Sequence, residues 1–400
     1  MKKVIIFLLL STLFSCTYES TTITTKETTT TITYPAPKYK ETIIVYMAAD
    51  NNLSDVAFPN IREMIRGLKE DANLVVFLDY RNYQRRKSYL YNFNNPNITD
   101  LSEHIVKEYE DFNSTSPTKF QEILNEVIEK YPSESYGLIL WSHADGWRPR
   151  IRSTRKSFGD DHGMAMNIDE LHQSLESVLD NNEIEKFNFI LFDACLMGGV
   201  EIVSELKEVS EYIVASPAEV PEKGFPYTTT FAALTNYSEP KEVRLENACR
   251  AFMTYYSNLD DGDRTGTIAL YKTSYMAQLE RKMKEVIQHY DLTSKRVYSD
   301  NLQRLSLDED YFDFMDMIEQ HFTTSEQQQI GEIVEKLILY KGNTPTLFYD
   351  EIVLDKYCGI TIYVPTREKY LLAPRFYGSQ WAKNSFYQKL IENTFNVYQN

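Results

Sequence analysis

Four long apolar stretches, each followed by polar or small residues, dominate the first half of the chain. They lie within residues 42–53, 73–79, 137–147 and 188–199. Uninterrupted apolar runs of this kind are typical of strands that are buried on both faces of a parallel sheet. Segments with apolar residues at helical spacing separate them, as in residues 120–128. This alternation predicts an α/β fold, in which a doubly wound, mainly parallel sheet is flanked by helices.

The second half of the chain has a more helical pattern. Its apolar spacing predicts helices at 243–256, 311–322, 326–340 and 381–398, and strands at 267–271 and 358–365. Cys249 falls on the apolar face of the first helix, and Cys358 begins the last strand, so both are expected to be buried. A disulfide between them is not required by the pattern and is left open.

Cys195 occupies the turn in a strand–turn–helix pattern over residues 188–206. A turn at the carboxyl end of a buried parallel strand is where open α/β sheets bind ligands. The following helix N-terminus would favour a thiolate there by lowering the pKa of the thiol. A lone cysteine after an apolar strand is, however, more often an inert core residue.

A second stretch, residues 137–147, has the same arrangement and puts His143 after its apolar run. One loop and one helix fit between the two strands, which is the length of a crossover connection. Adjacent parallel strands would then bring His143 and Cys195 to the same sheet edge. A thiol and an imidazole together form a nucleophile and its general base.

The chain has 400 residues, a formal charge of −16 and four cysteines. This charge argues against a nucleic-acid partner and favours cationic ligands, and four cysteines do not make a disulfide scaffold. Asp193 precedes Cys195 by two residues, which places both on one face of a strand. Its carboxylate could receive a basic side chain, above all Arg. The alternative is that Asp193 caps the next helix or orients a backbone turn.

The first 39 residues are expected to direct and tether the protein. Residues 1–15 have the basic start and short apolar run of a bacterial lipoprotein signal, and Cys16 is the expected lipidation site. An ordinary secretory signal is the alternative. Residues 16–39 are Thr-rich and predict a disordered tether. We therefore expect an extracytoplasmic protein that a lipid attaches to a bacterial membrane.

A loop at residues 148–167 carries five basic residues in its first half, including Arg155 and Lys156. It is either a solvated loop or a flexible segment that is itself cut by a protease. Asp160, Asp161 and His162 follow, but ligands so close in sequence do not define a metal site. No metal site is predicted from the residues.

Three motifs together resemble the clostripain family. They are residues 46–53 (YMAADNNL), 138–143 (LILWSH) with 146–148 (GWR), and 192–198 (FDACLMG). The loop 219–227, rich in Glu, Pro, Gly and aromatic residues, is also similar. The resemblance covers residues 41–230 motif by motif. It implies a caspase-like fold and a cysteine endopeptidase that cleaves after basic residues, chiefly Arg.

Position by position, the resemblance assigns Cys195 as the nucleophile and His143 as general base and acid. It places the oxyanion hole at the backbone N–H groups of Cys195 and Ala144, and Asp193 in the pocket for the basic side chain. Arg155 and Lys156 correspond to the segment where such enzymes cut themselves.

The chain departs from the family at Ala144 and Asp145, where Gly-Gly is usual. The added charge of Asp145 would raise the pKa of His143 or strengthen the binding of a cation. The expected substrate-binding residues are therefore Asp193 and Asp145, together with Glu219 and Glu222 of the loop 219–227. Some family members depend on calcium. We expect no required cofactor here and keep calcium as a candidate.

The sequence thus predicts a self-processed, monomeric endopeptidase in which residues 40–235 form the catalytic core and 236–400 pack on it and extend it. Its expected partners are proteins or peptides that contain Arg or Lys. A rival interpretation is an inactive surface module that binds basic peptides. A hydrolase that uses Ser142 is a poorer rival, because a continuing strand would point Ser142 away from the side of His143.

Overall fold

The computed structural model of the protein describes residues 20–25, 28–33, 36–81, 87–147, 158–260, 262–290, 296–307, 310–348, 350–365 and 378–395. The strands are β1 (Ser20–Thr25), β2 (Thr28–Thr33), β3 (Thr42–Ala49), β4 (Asn73–Tyr80), β5 (Lys87–Phe93), β6 (Ile105–Glu110), β7 (Tyr136–Trp141), β8 (Phe158–Asp161), β9 (Met164–Met166), β10 (Phe189–Asp193), β11 (Tyr212–Ala215), β12 (Thr267–Lys272), β13 (Tyr311–Asp313), β14 (Ile338–Asn343), β15 (Thr346–Leu347), β16 (Ile352–Val353) and β17 (Thr361–Tyr363). The α-helices are α1 (Ser54–Gly67), α2 (Pro117–Lys130), α3 (Ile168–Asn181), α4 (Val200–Leu206), α5 (Tyr227–Leu234), α6 (Lys241–Ser257), α7 (Met276–His289), α8 (Phe314–His321), α9 (Thr324–Leu337), α10 (Gln380–Asn384) and α11 (Tyr387–Phe395).

A nine-stranded mixed sheet forms the centre of the fold, in the order β14-β12-β11-β10-β7-β3-β4-β5-β6. The five strands from β11 to β4 are parallel to one another, and antiparallel strands extend the sheet at both ends. The predicted α/β fold with a mainly parallel central sheet is confirmed.

Helices cover both faces of the sheet and bury two hydrophobic layers. Side chains from alternate positions of β3, β7 and β10 enter one layer with α2, α3 and α4, and the intervening positions enter the other with α1, α5 and α6. This double burial explains why the parallel strands are continuous apolar runs in the sequence. It also leaves their carboxyl ends as the place where polar residues can gather.

The structure differs from the sequence prediction at four places. Thr-rich residues expected to be disordered contain the hairpin of β1 and β2; Thr is β-branched and favours strands. The helix predicted at 311–322 begins with strand β13, which pairs with β17, and the helix predicted at 326–340 ends at Leu337 before edge strand β14. The last predicted helix is split into α10 and α11 at Phe386, whose φ is +61°. In the three helical cases, strand pairing or a local turn outweighs apolar periodicity.

Cys249 and Cys358 are both buried and both free, so the disulfide that the sequence left open does not form. The environments of these two thiols differ from that of Cys195, which is half-buried. The described helices include none that combines the length and apolar character required to span a bilayer.

Candidate active site

Cys195 and His143 follow the carboxyl ends of two adjacent parallel strands. In the register of β10 and β7, Asp193 is the partner of Trp141, and Cys195 and His143 lie two residues beyond this pair. The Ser142 N–H donates to the Asp193 carbonyl oxygen at 3.3 Å and continues the pairing past the strand ends. The sheet therefore brings these two turns side by side, as the sequence predicted.

Hydrogen bonds on both sides hold His143. Its Nε2 atom lies 2.7 Å from Oδ1 of Asn52, in the turn after β3. Its carbonyl oxygen accepts a hydrogen bond from the Gly159 N–H at 2.9 Å, which ties it to β8. The imidazole is half-buried, so a substrate can approach it.

The Cys195 thiol is enclosed by the loop after β11. The Val220 N–H donates to Sγ at 3.3 Å, and Sγ is 3.7 Å from the Val220 carbonyl oxygen, to which the thiol can donate. Burial raises the pKa of this thiol to about 12. The sequence predicted the opposite direction, and that prediction is wrong for this structure: α4 begins only at Val200, and burial outweighs any helix-end effect.

Three carboxylates act electrostatically on the thiol. Glu219, Asp145 and Asp193 each add to the raised pKa of Cys195 through their negative charge, after the larger effect of burial. Glu219 is also a partner of Ser306, whose hydroxyl donates to Oε1 at 2.8 Å. Glu222, the fourth residue predicted to bind substrate, is exposed at the edge of the same loop. A site with this charge distribution favours a cationic ligand.

Asp193 is buried beneath the loop that precedes α5. Its Oδ2 atom accepts hydrogen bonds from the Tyr227 hydroxyl at 2.7 Å and from the Phe225 N–H at 3.4 Å. Burial raises the pKa of this carboxyl from 3.8 to about 6, and the two hydrogen bonds oppose the rise. These contacts are with the loop and with the first residue of α5, so Asp193 does not cap α4 in this structure.

Gly224 lets that loop approach Asp193. A Cβ atom at this position would lie 2.5 Å from Oδ2 of Asp193, and the φ of Gly224 is +63°. Both the close approach and the left-handed backbone require glycine.

The backbone donors predicted for the oxyanion hole belong to residues in the turns after β7 and β10. Ala144 forms a bridge with Phe158, and the neighbouring Leu196 N–H donates to the Ala218 carbonyl oxygen at 3.0 Å. Among the described residues, the N–H groups of Cys195 and Ala144 make none of the backbone hydrogen bonds that fix these turns. Their role in an oxyanion hole stays a prediction.

Ser142 has a structural role. Its hydroxyl donates to the Ala48 carbonyl oxygen at 2.6 Å and accepts from the Asp160 N–H at 3.1 Å. The side chain is buried between β3 and β8. These contacts leave no place for it as a nucleophile.

One group of metal-ligand types lies beside the site. Asp50, Asp161 and His162 offer atoms within 4.8 Å of one another, and His162 Nε2 is 3.0 Å from Oδ2 of Asp50. The guanidinium of Arg81 lies 3.7 Å from the other Asp50 oxygen. Calcium prefers six or more oxygen ligands, so an imidazole and a guanidinium in this group fit calcium poorly. Asp160 is not part of the group.

Three predicted residues lie outside the described parts of the chain. They are the self-cleavage candidates Arg155 and Lys156 and the lipidation candidate Cys16. The residues that flank 148–157, Trp147 and Phe158, are both buried. Trp147 packs edge-on against Tyr363, with ring centroids 4.8 Å apart.

A model of the clostripain family (peptidase C11) matches residues 45–396. Clostripain from Hathewaya histolytica is 26% identical over 219 residues, which are 48% of this chain and 41% of that protein, so the alignment spans less than half of this curated relative.

Two solved structures share the fold. The inactive zymogen of a C11 protease from Parabacteroides distasonis is 26% identical, with a TM-score of 0.73 over 88% of this chain and 99% of that one. A secreted C11 cysteine protease from Bacteroides thetaiotaomicron, in complex with an irreversible peptide inhibitor, is 24% identical, with a TM-score of 0.70 over 87% and 99% of the two chains.

Proposed function

Because the chain belongs to the clostripain family, we propose that it is a cysteine endopeptidase that cleaves peptide bonds after Arg and, less readily, after Lys. The observation that carries the proposal is the position of Cys195 and His143 just beyond the carboxyl ends of adjacent parallel strands, together with three carboxylates that act on the thiol. The shared sheet edge supports Cys195 and His143 as the reacting pair, and the negative charge near the thiol supports a preference for a cationic side chain.

The reaction proceeds through a thioester. His143 takes the thiol proton, and Sγ of Cys195 attacks the substrate carbonyl carbon to form an S–C bond. The N–H groups of Cys195 and Ala144 donate to the developing oxyanion. His143 then protonates the leaving amine as the C–N bond breaks, and afterwards activates the water that hydrolyses the thioester.

The substrate's basic side chain would enter beside Asp193. This carboxylate is buried and has only Tyr227 and Phe225 as hydrogen-bond partners among the described residues. An arriving guanidinium would supply the missing positive charge through a paired hydrogen bond. Asp145 and Glu219 add negative potential nearby, and exposed Glu222 would meet residues at the edge of the site.

We also propose that the intact chain is a zymogen that cuts itself at Arg155 or Lys156. Two features of the structure support this. Burial keeps the thiol neutral and outweighs the opposing hydrogen bond from the Val220 N–H, and Gly159 of β8, which follows the basic loop, donates to the carbonyl oxygen of His143. A cut in the basic loop would break the chain between His143 and β8 and leave β8 with a free end. Arg155→Ala/Lys156→Ala protein should stay a single band on a denaturing gel while wild type becomes two; full activity in a single band would contradict the proposal.

The activity is tested by the hydrolysis of a fluorogenic peptide that ends in Arg. Peptides that end in Asp and in Leu are the controls. Wild type should cleave the Arg peptide, and Cys195→Ala should not. If neither form cleaves it, even after trypsin has nicked the basic loop, the inactive peptide-binding module becomes the better account.

We also propose that residues 236–400 extend the catalytic core, which the presence of β12 and β14 in the central sheet supports. Cys16 carries a lipid that attaches the protein outside the cytoplasm; Cys16→Ser should abolish labelling by radioactive palmitate. Catalysis requires no metal, because the donor set beside the site suits calcium poorly.

A further inference from the structure

The side chain of Asn52 forms a hydrogen bond with the imidazole of His143 at its Nε2 atom. The distance from Nε2 of His143 to Oδ1 of Asn52 is 2.7 Å, which is a short hydrogen bond. An amide oxygen accepts hydrogen bonds, so with the Asn52 amide in this orientation the bond requires a proton on Nε2. In the neutral ring the other nitrogen, Nδ1, is then the one without a proton.

Hydrogen bonds of neighbouring Asn51 hold the turn that carries Asn52. The adjacent Asn51 is buried, and its side-chain NH₂ donates to the carbonyl oxygens of Ala48 at 2.9 Å and Asp160 at 2.8 Å. Its side-chain oxygen accepts from the Leu53 N–H at 2.8 Å. Asn51 thus fixes the turn after β3 to β8, and Asn52 is presented to His143 from a fixed backbone.

We propose that Asn52 is a positioning residue for the peptidase reaction, which makes Cys195 and His143 an Asn-assisted pair; the inference rests on the proposed function. Asn52 holds His143 in the Nε2–H tautomer and orients the ring. Nδ1 is consequently the atom that accepts the thiol proton and later gives it to the leaving amine. The imidazolium formed between these steps donates to Oδ1 of Asn52 through Nε2, so the same bond also stabilises the charged ring.

The first test reads His143 directly and needs no turnover. Protein labelled with ¹⁵N-histidine, with the His143 signal assigned by comparison with His143→Ala, is titrated by NMR in a Cys195→Ala background. The neutral ring should be protonated at Nε2. Asn52→Asp should make His143 titrate about one pH unit higher, because a carboxylate in contact with an imidazolium favours the charged ring.

Asn94→Asp is the matched control. Asn94 is exposed and follows β5, at the opposite edge of the sheet, since its neighbour Phe93 pairs with Leu74 near the start of β4. The Asn94→Asp substitution adds the same charge as Asn52→Asp and should leave the titration of His143 unchanged. Protonation of the neutral ring at Nδ1, or equal titration shifts in the two variants, would overturn the proposal.

The second test is kinetic. Asn52→Ala should lower kcat for the Arg peptide by about 10- to 100-fold with little change in KM, because the lost bond is to a group that becomes charged during the reaction. Asn52→Asp should restore part of kcat and move the imidazole-dependent limb of the pH profile to higher pH. An unchanged kcat and pH profile in both variants would contradict the assignment. If wild type has no activity but His143 shows the Nε2–H form and the Asp shift, the proposed function fails and the Asn52–His143 contact stands.

Discussion

Replacing Asp193 with Asn should stabilise the protein and at the same time remove its preference for Arg. Asp193 is buried, and its pKa is raised from 3.8 to about 6. Asn keeps an oxygen that can accept the Tyr227 hydroxyl bond of 2.7 Å, but it carries no charge. The change therefore isolates the cost and the use of the buried negative charge.

The magnitude follows from the shift in pKa. Because the folded-state pKa is raised, the folded state favours the neutral acid, and stability is lost as pH rises from 3.8 through about 6. The difference of about two pKa units corresponds to about 3 kcal/mol at pH 8. Asp193→Asn should thus raise the free energy of unfolding by about 3 kcal/mol at pH 8 and by little at pH 4.

The assay is urea unfolding at both pH values in a Cys195→Ala background, which prevents self-cleavage. Asp300→Asn, at an exposed aspartate, is the control and should change stability little. In the active background, Asp193→Asn should lower kcat/KM for the Arg peptide about 100-fold or more, since an arriving cation loses its buried partner. Equal stability changes at pH 4 and pH 8 would refute the argument about charge, and unchanged Arg cleavage would remove Asp193 from the pocket.

Three other predictions follow from the same geometry. Alkylation of Cys195 by iodoacetamide in the unprocessed chain should rise about tenfold per pH unit between pH 7 and pH 10, because its pKa is about 12; a plateau below pH 8 would contradict this. Gly224→Ala should destabilise the fold and lower Arg cleavage at least about tenfold by pressing on Asp193, whereas Gly331→Ala, in α9 with its nearest contact at 3.6 Å, should be neutral or stabilising. EDTA should leave peptide cleavage unchanged, and loss of activity that calcium restores would show that the metal proposal is wrong.

The central part of the fold and the reacting pair could be predicted from the sequence because their signals are local. Continuous apolar runs identify strands buried on both faces, and the residues directly after those runs must lie at one sheet edge. Cys195 and His143 both satisfy this rule. Asn52 also follows such a run, after β3, so the same rule predicts that it lies at this sheet edge. Nothing in the sequence, however, distinguishes Asn52 from neighbouring Asn51 as the partner of His143.

The environment of the site could not be predicted in the same way, because it depends on distant segments. The loop that carries Val220, 25 residues away, encloses the Cys195 thiol, and burial raises the pKa of the thiol where the sequence predicted a lowered one. Tyr227 reaches Asp193 from the start of α5, 34 residues away. The edge strand β14 likewise depends on pairing with β12 rather than on its own periodicity, which continues that of the preceding helix.

The central claim is that Cys195, assisted by His143, attacks the carbonyl carbon after an Arg. Its most direct test is labelling with an Arg-bearing peptide electrophile, followed by mass spectrometry of the three cysteines at 195, 249 and 358. Wild type, processed or nicked in the basic loop, should be labelled at Cys195 far faster than at the two buried thiols, and His143→Ala should abolish that selectivity. Equal labelling of all three thiols, or labelling of Cys195 that is indifferent to Arg and to His143, would contradict the account.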